Sequence, residues 1–71
     1  MTYYAVIGRI PFDDEDSIMF YESDEPNPPL EEWFEKEMYD AEGRDDMEEV
    51  HREHGTAVFI TAILKSAAPI E

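Results

Sequence analysis

Seventy-one residues carry nineteen carboxylates against five lysines and arginines, a formal charge of −14 at pH 7, and include no cysteine. Such a polyanion repels nucleic-acid phosphates, and a chain without thiols forms neither disulfides nor Cys-ligated zinc sites. The content of 42% hydrophobic and 13% aromatic residues is too high for an acidic disordered tail, so a core is expected even at a length where small domains are marginal.

Residues 3–10 combine β-branched and aromatic side chains and stop at Pro11, which predicts a first strand. Residues 17–22 predict a second, and the short acidic link between them predicts a hairpin with Asp13, Asp14, Glu15 and Asp16 at its tip. The Pro-rich segment 24–29 is turn chemistry, with Asn27 as the expected N-cap of a helix. From Leu30 the apolar residues Trp33, Phe34, Met38 and Ala41 fall on one helical stripe, and Gly43 stops it. A capping box from Asp45 to Glu48 predicts a second, short helix that reaches about His54, buries Met47 and Val50 and ends at Gly55. Residues 56–65 form the strongest strand signal. The order ββααβ predicts an α+β fold: one domain over residues 1–71, a three-stranded antiparallel sheet with one main helix and one short helix packed on one face.

Enzyme motifs are missing. The three glycines are isolated, so there is no phosphate loop, and no serine sits in a nucleophile elbow. The acids fall in polar runs rather than as a pair in an apolar cleft, which argues against acid–base catalysis. His51 and His54 lack the spacing and thiolates of a zinc site, and Ile18 stands where a calcium loop needs glycine, so no metal or other cofactor is expected. Aromatic residues such as Tyr3, Tyr4, Phe20, Tyr21 and Phe59 read as core, with one or two tyrosines left for the sheet's uncovered face. The start lacks a leader pattern and no apolar run spans a bilayer, so a cytoplasmic protein without membrane contact is expected.

Charge remains as the functional signal. Eighteen of the nineteen acids lie in residues 13–53 against three cations, a net of −15, whereas the flanks hold Arg9, Lys65 and Glu71. A halophile's solubilising coat would spread its acids over every exposed surface. Segregation points instead to a basic partner. Carboxylates one helical turn apart, about 5–6 Å, or on alternate strand residues, about 6.6 Å, have spacings suited to following successive phosphates.

Residues 1–10 (MTYYAVIGRI), the acidic run 13–16 (DDED) and the overall length resemble the small acidic anti-CRISPR proteins of phages and mobile elements, most closely the inhibitors of type I-C systems. The resemblance implies a DNA mimic in the bacterial cytoplasm. It would occupy the target-DNA and PAM site on the large, Cas8-type subunit of the Cascade surveillance complex, bind no nucleic acid itself and act as a monomer. The expected contact residues, chosen by exposure, are Asp13, Asp14, Glu15 and Asp16, followed by Glu22, Asp24, Glu25, Glu31, Glu32 and Glu35. A mimic aimed at another DNA-binding enzyme, such as a restriction system, and an acidic halophilic or housekeeping domain without a basic partner are the alternatives.

Overall fold

The three segments rich in β-branched and aromatic residues form strands β1 (Thr2–Arg9), β2 (Ser17–Ser23) and β3 (Phe59–Ser66). Between the second and third lie helices α1 (Leu30–Ala41) and α2 (Met47–His54), giving the expected ββααβ order. This computed structural model describes residues 1–69; Ile70 and Glu71, the end of the expected domain, lie outside the described residues. The sheet is antiparallel with order β2-β1-β3. The central place of β1 accords with its sequence, since Tyr4, Ala5, Val6 and Gly8 are all buried.

Period two divides the sheet into two faces. Tyr4 and Val6 point toward the helices and join Leu30, Phe34, Met38, Val50, Ala57 and Val58 in one core. Phe34 is fully buried at its centre. It rests on Gly8, whose backbone also lies against the Phe59 carbonyl oxygen, so a Cβ at position 8 would collide with main chain and press on the Phe34 ring at 3.2 Å. The absence of a side chain there lets helix and bulged strand approach together. The register of β1 with β3 shifts between Ile7 and Gly8, beside this contact.

Several local expectations are corrected. Trp33 is only partly buried and its ring lies 5.8 Å from that of Tyr21, while Ala41 is exposed; the stripe continues instead through Tyr39. The Tyr39 hydroxyl donates to the Ala57 carbonyl oxygen at 2.9 Å, so burying this residue leaves its polar end satisfied and ties α1 to the segment before β3. Pro29, not Asn27, precedes α1, and Asp46, not Asp45, precedes α2. Neither helix has a side-chain cap. The Asp46 carboxylate is held by Arg44 at 2.7 and 3.1 Å, which removes it from the capping role. Gly55 ends α2 in the left-handed conformation, φ 79°, as a glycine at this position should.

The third strand begins at Phe59 rather than Thr56. The Thr56 hydroxyl donates to the Val58 carbonyl oxygen at 2.8 Å, folding residues 56–58 into a turn that drops Ala57 and Val58 into the core. Phe20 and Phe59 also depart from the core reading. Phe20 pairs across the sheet with Ala5, and Phe59 with Arg9, so both stand on the face without helices.

Candidate partner-binding surface

The acidic hairpin tip is anchored at both of its ends. Asp13 donates its backbone N–H to the Ile10 carbonyl at 3.1 Å. At the other end the Asp16 carboxylate accepts from Arg9 at 2.8 Å and from the Thr61 hydroxyl at 3.0 Å, so it fastens the tip to β1 and β3. Asp14 and Glu15 project into solvent, outside every ion pair found among the described residues. Asp16 is therefore a brace, and Asp14 and Glu15 are the free charges.

Because α1 runs back along the sheet, its C-terminal end meets this tip. Together they form an open hollow of about 590 Å³ lined by Asp13, Asp14, Glu15, Asp16, Met38 and Glu42, among others. The exposed Glu42 carboxyl is pushed up from its ordinary value by desolvation first, then by the hydrogen bond and negative charge of Asp13; Arg44 opposes the shift. Glu42 was not among the expected contact residues. In sequence it is one more acid after a helix, and only the antiparallel return of α1 carries it to residues 13–16.

The remaining acids lie elsewhere. Asp24 sits 3.4 Å from the amino group of Met1, and the Glu25 N–H donates to the Ser23 hydroxyl oxygen at 3.0 Å. Glu31 and Glu32 are exposed in the first turn of α1, where carboxylates also favour the helix dipole. These four lie toward the N-terminal end of a twelve-residue helix about 18 Å long, and the hairpin tip lies at the other end. Glu35 falls between them, partly buried beside His51; burial and the charge of Glu31 one turn earlier push its pKa up, while His51 pulls it down. Glu22 is exposed on the open face of the sheet, paired with Tyr3. The ten expected residues thus make two acidic ends joined along α1, not one patch.

Phe12 links this arrangement to the second helix. Its ring lies under the Arg44 guanidinium at 4.4 Å and meets His54 edge-on at 5.7 Å. Cation–π contacts of this kind hold an exposed ring in place. The tip that follows is consequently tied to the α1–α2 link as well as to the sheet. Among the described residues no three His, Asp or Glu side chains are arranged to hold a metal ion, and no helix is long and apolar enough to cross a membrane. No protein family, curated protein or solved structure matches the chain.

Proposed function

We propose that this protein is a binding protein, not a catalyst: an anti-CRISPR inhibitor that mimics DNA and occupies the target-DNA and PAM site of a type I-C Cascade large subunit in the bacterial cytoplasm. One observation carries the reading, the density of fixed charge along the molecule. Eighteen carboxylates against five cations in residues 1–69, a net of −13, average to one net charge per about 2.8 Å over the body's longest dimension of 36 Å. B-DNA presents one per about 1.7 Å of its axis, and one of its turns is about 34–36 Å long. A basic channel shaped for a duplex therefore meets a comparable charge density over a comparable length.

The mechanism is competitive exclusion. Long-range attraction speeds encounter, and carboxylates paired with Arg and Lys hold the complex. Asp14 and Glu15 at one end and Glu31 and Glu32 at the other are the free acids best placed to stand in for phosphates, with Asp13, Glu22, Asp24, Glu25 and Glu35 around them. Asp16, committed to Arg9 and Thr61, acts by fixing the tip. The test is competition for the purified type I-C surveillance complex between this protein and a PAM-containing duplex. Mutual displacement supports the reading; simultaneous binding of both overturns it.

A further inference from the structure

The open face of the sheet is unlike the rest of the surface. The register places Phe20, Ala5 and Leu64 in one row across the three strands and Ile18, Ile7 and Ala62 in the next. Phe20 is 49% exposed, Leu64 50% and Ile18 53%, although Ala5 between the first two is only 1% exposed. Phe59 extends the strip beyond them at 42%. Charged groups border it at each end: Glu22 beside Tyr3, and the Arg9–Asp16 pair next to Phe59. This is an apolar strip with a free carboxylate, Glu22, at one end and a mutually neutralised ion pair, Arg9–Asp16, at the other, and the helices pack on the opposite face.

We infer that this strip is the apolar centre of the partner interface, and that it fits a protein surface carrying an apolar ridge flanked by Lys and Arg beside its DNA channel. The inference rests on the proposed mimicry and adds a component that DNA does not possess. Three strands about 4.8 Å apart and seven or eight residues long, at about 3.4 Å per residue, give the whole open face roughly 400 Å², an upper bound for the strip. That is within the range of the largest apolar patch of an ordinary monomer and about half of one side of a standard interface. The strip needs a charged rim to complete a stable contact, as interfaces with an apolar centre and polar border have.

A second copy of this chain is the poorer occupant on both counts. It would supply only the same small area, and it would set a second charge of −14 against this chain's own −14. High net charge of one sign keeps proteins apart. A basic partner reverses that term: the chain's overall charge attracts it, and the strip then excludes water.

Adding negative charge to the strip separates the two components, because it moves them in opposite directions. Phe20→Glu and Leu64→Glu should each weaken binding to the purified type I-C surveillance complex at least tenfold, with Phe20→Ser and Leu64→Ser as charge-neutral versions and thermal melts verifying the fold. A purely electrostatic contact predicts unchanged or tighter binding for the Glu variants, and that result overturns the inference while leaving mimicry intact. In a parallel arm, Asp13, Asp14, Glu15 and Asp16 are replaced by Asn and Gln. Loss of binding in the face variants but not in this one keeps the strip and assigns the electrostatic part to the acids at the other end of α1, and no binding by the unaltered protein removes both. Dimers of the unaltered protein that the Glu variants convert to monomers assign the strip to a second copy and overturn the inference.

Discussion

Phe34 and Trp33 are neighbours in sequence with unequal roles. Phe34 is fully buried against Gly8, Val6 lies in the same core, and Trp33 packs at the border with Tyr21. Phe34→Ala should cost about 3–5 kcal/mol, comparable with the whole stability of a domain this small, and leave the chain largely unfolded. Trp33→Ala should retain a cooperative melt at lower temperature. Circular dichroism melts of both variants check the ranking; equal losses would contradict it. Gly8→Ala is a sharper test of the helix–sheet contact. Its new Cβ meets main chain rather than a flexible side-chain end, so the cost should be about 1–3 kcal/mol despite the substitution's small volume. A chemical-denaturation midpoint equal to that of the unaltered protein would show that the strands can separate there.

The hairpin tip and the end of α1 form a unit with its own pH dependence. Glu42 and Glu35 both have pKa values raised above the ordinary 4.5, so the folded chain holds their protons more tightly than the unfolded one. Their contribution to stability is complete below 4.5 and is lost as pH rises through the raised values. Lowering the pH from neutral toward 4.5 should therefore stabilise the fold. Asp46 acts in the opposite sense: the Arg44 pair lowers its pKa below 3.8, and that contribution disappears only in stronger acid. Denaturation followed across this interval should show the rise, and Glu42→Gln should reduce it. A stability that falls steadily from neutral pH would contradict the Asp13–Glu42 arrangement. Neutralising residues 13–16 tests the same unit by function. Loss of Asp16's bonds to Arg9 and Thr61 loosens the tip, but the core does not include it, so the melt should change by only a few degrees while competition with PAM-containing duplex falls at least tenfold. Undiminished competition would assign recognition to the acids at the other end of α1.

At the scale of the whole molecule, salt acts oppositely on the free protein and on the proposed complex. Self-repulsion among eighteen acids in residues 13–53 is screened over a Debye length of about 8 Å at physiological ionic strength, so added NaCl should raise the melting temperature of the free chain. The same screening slows encounter with a basic channel and weakens binding. Melts and affinities measured across one salt series should diverge. Affinity that stays flat or rises with salt would remove charge mimicry as the main source of binding, and folding that requires molar salt would favour the halophilic reading.

Local sequence determined the elements because their signals are local. Leu30 to Met38 repeat at helical spacing, residues 3–10 and 17–22 are rich in strand-forming side chains, and Gly55 supplies the left-handed stop of α2. The net charge and its confinement to residues 13–53 were equally plain, since charge is additive along the chain. What only the tertiary structure decided depends on which segments meet. Asp46 gave up capping because Arg44 lay within reach, and Thr56 folded its neighbours out of the strand. Glu42 reached the hairpin tip through the return of α1. Phe20, Phe59 and Leu64 have the composition of core residues, and alternation alone places them on one face or the other. Two helices cover only one face of three strands, so the choice between burial and display was made when α1 and α2 closed on the side of Tyr4 and Val6.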